Sequence, residues 1–251
     1  MMDMFSLEGN TAIVTGARTG IGQGIAEGLA EAGANIIGAG HAAMPETEAY
    51  ISGLGRAFRY YDIDLGKQDG IQALVDYAVK EFGKVDILVN NAGIIRRQDV
   101  LDFTEENWDD VINMNLKSLF FMSQACARVM KDNGGGKIIN IASMLSFQGG
   151  IRVVSYTASK SGVAGVTKLM ANELAKYNIQ VNAIAPGYID TNNTAALIAD
   201  PKRSAEILSR IPADRWGRPE DLKGAAVFLA SRASDYVNGH ILAVDGGWLA
   251  R

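Results

Sequence analysis

From Thr11 onward the chain repeats one unit: a short apolar run, a glycine-bearing turn, a stretch with apolar residues at helical spacing, then another apolar run. That rhythm predicts parallel strands joined by crossover helices. Strands are expected at Thr11–Thr15, Asn35–Ala39, Ala57–Tyr61, Ile87–Asn90, Lys137–Ile141, Gln180–Ile184 and Ile241–Val244. Helices are expected at Ile21–Ala32, Glu46–Leu54, Gly70–Phe82, Trp108–Met130, Tyr156–Tyr177 and Pro219–Ser231. The runs AIV, DILV and KIINIA do not alternate polar with apolar, so helices must cover both sheet faces. The expectation is a single doubly wound α/β domain, with a mostly parallel seven-stranded sheet and helices on both faces. No composition break, repeat or low-complexity tract divides it. Only Tyr188–Trp216 reads as irregular, and its place beyond a strand's carboxyl end makes it a candidate lid.

Composition narrows the function classes. The 251 residues are 48% hydrophobic, enough for a sizeable core, and the net charge of −4 argues against nucleic acid or an anionic membrane surface as the main partner. The longest charge-free stretches, Ala32–Pro45 and Ile138–Ile151, fall well short of the ~20 apolar residues of a spanning helix. The start MMDMFSLEGN lacks the basic flank and apolar block of a secretory leader, and one cysteine, Cys126, permits no intrachain disulfide. A reducing cytoplasm is the expected compartment. Cys126 itself reads as a small core residue, and no His, Cys or carboxylate cluster has metal-ligand spacing, so no catalytic metal is expected.

The chemistry concentrates at three places. The first strand ends in TGARTGIG and runs directly into a helix, a turn in which Gly16, Gly20 and Gly22 let backbone N–H groups approach a pyrophosphate at the positive helix end. Tyr156 and Lys160 stand four residues apart, hence on one helix face. Ser143 follows KIINIA, at the same sheet edge as the glycine turn. Oxidising an alcohol needs a base, and a phenol with a pKa near 10 must move by about three units, or roughly 4 kcal/mol, to serve at neutral pH. An ammonium ~4 Å away at an effective dielectric of ~20 supplies about that, so Lys160 is the expected tuner of Tyr156. Ser143 would then bond the reacting oxygen.

These residues resemble the short-chain dehydrogenase/reductase family over nearly the whole chain, together with NNAG (Asn90–Gly93), NMNLKS, VNAIAPG (Val181–Gly187) and the terminal VDGGW. The resemblance implies a Rossmann-type fold, a catalytic set of Asn115, Ser143, Tyr156 and Lys160, and a homotetramer. It also implies cofactor contacts from Gly16, Arg18, Thr19, Gly20, Ile21, Gly22, Asp64, Leu65, Asn91, Gly93, Tyr156, Lys160, Pro186, Gly187, Ile189 and Thr191. The helices Trp108–Met130 and Tyr156–Tyr177, rich in small residues and Met on more than one face, fit subunit contacts as well as sheet packing.

The end of the second strand holds Gly40 and His41 where NAD users carry an acid, and Thr19 stands where NADP users often carry Arg. NAD is favoured and NADP stays open. The loop strings NNAGIIRR, SMLSFQGGIRV, GYIDTNNT, SAEILSRIPADRWG and GGWLAR resemble family members acting on sugar acids. A carboxylate calls for a guanidinium, and Arg96 or Arg152 is the expected holder, with Ser143 and Tyr156 at the reacting carbon. Trp216 and Phe147 are candidate covers. An acyl thioester remains the alternative substrate, and a silent nucleotide-binding scaffold the alternative without catalysis.

Overall fold

A computed structural model describes residues 3–251. Its strands are β1 (Thr11–Thr15), β2 (Asn35–Gly40), β3 (Phe58–Asp62), β4 (Ile87–Asn90), β5 (Gly136–Ile141), β6 (Ile179–Pro186) and β7 (Ile241–Val244). Its helices are α1 (Gly20–Glu31), α2 (Pro45–Gly53), α3 (Ile71–Phe82), α4 (Glu105–Ile112), α5 (Ser118–Asp132), α6 (Val154–Leu174), α7 (Ala195–Ala199), α8 (Pro201–Leu208) and α9 (Lys223–Ala230). All seven strands are parallel, in the order β3-β2-β1-β4-β5-β6-β7. The order reverses between β1 and β4, and the loops leaving these two strands diverge there to open a crevice.

Successive strand residues feed opposite layers. Ala12 and Val14 of β1 pack with Ile25 and Leu29 of α1 and Ala226 and Leu229 of α9, whereas Ile13 packs with Leu74 of α3 and Met122 and Met130 of α5. Both faces are therefore apolar, as the unbroken runs require. The buried exceptions are paired. Asn90 Nδ2 donates to Ser123 Oγ at 2.8 Å and to Asn140 Oδ1 at 2.9 Å, and Asn140 Nδ2 donates to Thr167 Oγ1 at 2.9 Å. This chain pins α5 and α6 to the middle of the sheet, next to the crevice, with every member satisfied.

Three expectations need correction. The helix expected over Trp108–Met130 is not continuous: α4 and α5 are separated by a π-helical turn, Asn113–Lys117. The stretch Tyr188–Trp216 is not irregular throughout, since it contains α7 and α8. Asp200 starts α8 by accepting bonds from the Lys202 and Arg203 N–H groups ahead of Pro201. The last expected helix also begins as a 3-10 turn, Pro219–Leu222, before α9. Among the described residues no helix is long and apolar enough to cross a membrane.

Candidate active site

The crevice is a cleft of about 410 Å³ at the carboxyl ends of β1, β2 and β4. Gly16 leaves β1 at φ +68°, and Thr19, extended just before α1, makes no side-chain cap. The first-turn N–H groups of α1 therefore have no side chain closing them off from an anion. Thr15 and Asn91 staple the two diverging loops: Thr15 Oγ1 accepts from the N–H groups of Asn91 and Ala92, and Asn91 Nδ2 donates to the Thr15 and Gly16 carbonyls. A Cβ on Gly22 would stand 2.3 Å from both Asn91 Nδ2 and the Gly16 oxygen, so no side chain fits there. A dinucleotide fits this cradle, with its pyrophosphate at the open helix end.

Of the expected contacts, Gly16, Arg18, Thr19, Gly20, Ile21, Gly22, Leu65, Asn91, Gly93, Tyr156, Lys160 and Thr191 line the cleft. Asp64 does not, because its carboxylate turns onto the Gly66 N–H and toward Lys67. Pro186 is buried at the end of β6, and Gly187 and Ile189 line a smaller neighbouring cavity of about 190 Å³ together with Ile211, Ala213 and Arg215. Gly40, His41, Met44 and Ile63 also line the cleft and were absent from the expected set. Their signal was the position of Gly40 and His41 at the end of β2. The cleft lining contains Arg18 and Lys160 and, among the described residues, no carboxylate.

At the other end of the cleft, Asn115 lies buried in the π-helical turn. Its Oδ1 accepts from the Ile94 N–H at 2.8 Å, and its Nδ2 donates to the Ile94 carbonyl at 2.9 Å and to Ser159 Oγ at 3.3 Å. Ser159 in turn donates to the Tyr156 carbonyl. The amide is fully engaged and joins the loop after β4 to the helix carrying Tyr156. Ser143 begins the turn after β5, where its Oγ accepts from the Leu145 N–H at 3.1 Å.

Burial raises the pKa of the Tyr156 phenol, while a hydrogen bond from Ser143 and the charge of Arg97 pull it down. Burial also drops Lys160 to about 8, and its ammonium donates to the Ile141 carbonyl at 2.6 Å. The nitrogen stands 5.5 Å from the centre of the Tyr156 ring. Arg97 donates to the Asn193 carbonyl at 3.2 Å, which ties it to a residue of the cleft wall.

The two expected substrate arginines are occupied elsewhere: Arg96 pairs with Asp110 at 2.9 Å and Arg152 with Asp99 at 3.1 Å. Arg97 has no carboxylate partner among the described residues. Phe147 is half exposed, whereas Trp216 is partly buried against Tyr188. Cys126 is fully buried, its thiol pushed up to about 12.

The sequence profile described as Enoyl-(Acyl carrier protein) reductase matches residues 16–249. The chain is 66% identical to 2-dehydro-3-deoxy-D-gluconate 5-dehydrogenase of Escherichia coli, over the full length of both. A crystal structure from Agrobacterium tumefaciens with bound NADP is 56% identical, covers 99% of this chain and 100% of that one, and superposes with a TM-score of 0.94. The gluconate 5-dehydrogenase of Burkholderia cenocepacia, in complex with NADP and tartrate, is 40% identical, with 99% and 98% coverage and a TM-score of 0.94. With this likeness running the whole length of the glycine turn, the parallel sheet and the Ser143–Tyr156–Lys160 corner, the chain belongs to the short-chain dehydrogenase/reductase family.

Proposed function

We propose that this chain is an NAD(P)-dependent oxidoreductase that interconverts a secondary alcohol and a ketone on a sugar acid, with 2-dehydro-3-deoxy-D-gluconate as substrate. The observation that carries the reading is that Tyr156 and Lys160 line the same cleft as the glycine turn, with the turn that Ser143 heads bonded to α6 at Lys160. The Escherichia coli relative supports the substrate, and the Burkholderia cenocepacia gluconate 5-dehydrogenase, in complex with NADP and tartrate, supports the substrate class.

Gly16–Gly22, Asn91 and Thr191 hold the dinucleotide, and Leu65 and Ile63 offer an apolar seat for its base. When bound, the nicotinamide accepts or returns the hydride. Tyr156 takes the hydroxyl proton in oxidation and gives it back in reduction. Ser143 donates to the same oxygen and so favours the charge that develops there. Lys160 keeps a buried positive charge on the turn behind the phenol, and Asn115 holds the loop and helix in register. Arg97, rather than Arg96 or Arg152, takes the substrate carboxylate, because it alone of the three lacks an acidic partner among the described residues and is bonded to Asn193 of the cleft wall. The absence of a carboxylate around Gly40 and His41 leaves no repulsion against a 2′-phosphate, so both NAD and NADP are admitted.

The stretch 188–216 acts as a lid, supported by Thr191, Asn192 and Asn193 lining the cleft. A homotetramer is supported by the exposed Trp108, Phe121 and Leu169 on α4, α5 and α6. A cytoplasmic location agrees with a lone, deeply buried thiol.

The test follows absorbance of the reduced nicotinamide with 2-dehydro-3-deoxy-D-gluconate, 5-ketogluconate and an acyl thioester, each with both nucleotides. Turnover with the first substrate, lost by at least 10²-fold in Tyr156→Phe with nucleotide affinity kept, is the expected result. Preference for the thioester, or full activity in Tyr156→Phe, overturns it.

A further inference from the structure

The terminal GGW string has no part in the chemistry above, yet Trp248 is 4% exposed and joins four segments of the chain. Its indole N–H donates to Gln148 Oε1 at 3.3 Å, in the turn that begins with Ser143. Its ring stands 4.9 Å from that of Tyr188, beyond β6, and 3.9 Å from the Arg210 guanidinium. Met144, Ile207 and Ile211 complete a buried cluster around it, one residue coming from the Ser143 turn and two from the end of the lid. The segment is itself held stiffly: Asp245 accepts from the N–H groups of Gly247 and Leu249, and the Gly246 carbonyl accepts from the Ala213 N–H.

The Ser143 turn therefore has two anchors. At its front Ser146 Oγ donates to the Lys160 carbonyl at 2.7 Å, tying it to α6. At its back Gln148 is tied to Trp248. The front anchor fixes the turn to the helix of Tyr156, and the back anchor fixes it to the lid base.

We propose that Trp248 is a positioning residue that locks the Ser143 turn to the base of the lid, so that the place of the Ser143 hydroxyl depends on how the lid base is packed. The consequence for catalysis rests on the reading of Ser143 as the bond donor to the reacting oxygen. The mechanical coupling does not, and it is measured without substrate.

Hydrogen–deuterium exchange compares the wild-type chain with Trp248→Phe, which keeps a ring and loses the donor, and Gln148→Leu, which removes the acceptor from outside the lid. Each substitution is expected to speed exchange roughly five-fold in both Met144–Gln148 and Ile207–Ala213, the loss set by one hydrogen bond, and to leave Gly20–Gly22 unchanged. Unchanged exchange, or a change confined to one of the two segments, overturns the coupling. Should Trp248→Phe fail to fold, Gln148→Leu decides alone. In turnover of 2-dehydro-3-deoxy-D-gluconate, each variant is expected to lose roughly five-fold in kcat with nucleotide KM unchanged, and the double variant no more than either single one. Multiplying effects overturn the shared pin. A wild-type chain inactive on the sugar acid, with exchange coupled as stated, would sink the substrate reading and leave the pin standing.

Discussion

Lys160 and Tyr156 share one face of α6, but the Lys160 ammonium bonds the Ile141 carbonyl at 2.6 Å and meets the Tyr156 ring 5.5 Å from its centre. The lysine thus couples the helix of the phenol to the last residue of β5, and it does so as a buried cation. Its energetic cost has a readable sign.

Burial lowers Lys160 from 10.5 to about 8, so the folded state binds its proton less tightly than the unfolded chain does. At ~1.4 kcal/mol per unit the penalty is about 3 kcal/mol. It is fully present below pH 8, shrinks between pH 8 and 10.5, and vanishes above. Lys160→Met is expected to raise unfolding stability by about 2 kcal/mol at pH 7, part of the gain being lost with the bond to Ile141, while turnover collapses. Denaturant titrations at pH 7 and above pH 10 check this: an advantage that persists unchanged at the higher pH contradicts it.

Arg97 and Arg96 are neighbours with different surroundings, one bonded to the Asn193 carbonyl of the cleft wall and the other paired with Asp110. Arg97→Ala is expected to cut kcat/KM for the sugar acid by about 10²-fold, the scale of losing a charge-assisted pair, and Arg96→Ala by under about five-fold. Steady-state kinetics with each variant separates the two, and equal losses would remove the assignment.

A Cβ at position 22 meets Asn91 Nδ2 and the Gly16 carbonyl at 2.3 Å, and neither is free to retreat because Asn91 is bonded to Thr15 and Gly16. Gly22→Ala is expected to weaken nucleotide binding at least ten-fold and to lower the melting temperature by several degrees. Fluorescence titration of reduced nucleotide and a thermal scan give both numbers. Wild-type affinity in the variant would show that the loops can part.

Gly40 ends β2 inside the cleft, and a Cβ there meets only the flexible Met44 Cε, at 3.3 Å. Gly40→Asp therefore introduces a carboxylate with little steric cost, at the place where an acid bonds the ribose 2′-hydroxyl. The ratio of kcat/KM for NAD over NADP is expected to rise at least ten-fold. A ratio that stays put would move the adenine ribose away from β2.

The sheet was legible because its strands are apolar on both faces, and β1, β4 and β7 begin and end where their runs do. The widened turn at Asn113–Lys117 was not, since apolar spacing continues through it and the break lies in its backbone hydrogen bonding. In the stretch 188–216, Asp200 followed by Pro201 was a usable start signal, but α7 and α8 are short and contribute only Leu197 and Ile207 to buried packing. The glycine turn and the Ser143, Tyr156 and Lys160 positions were plain from spacing. Which of three nearby arginines stays without an acidic partner was not, because Asp110 and Asp99, which claim two of them, are brought there by the chain's path and not by sequence adjacency.

The reversal of strand order has an effect on how this protein comes into being. Ala12 of β1 lies beside Ile87 of β4, the most distant of the strand pairings along the chain, and the glycine turn faces Asn91 only once that contact exists. A growing polypeptide carries the nucleotide cradle early but gains Tyr156 and Lys160 much later, on the far flank of the seam. Neither flank is an enzyme in miniature: the cleft is complete only with the β1–β4 seam joined, because the glycine turn stands on one side of it and Tyr156 and Lys160 on the other.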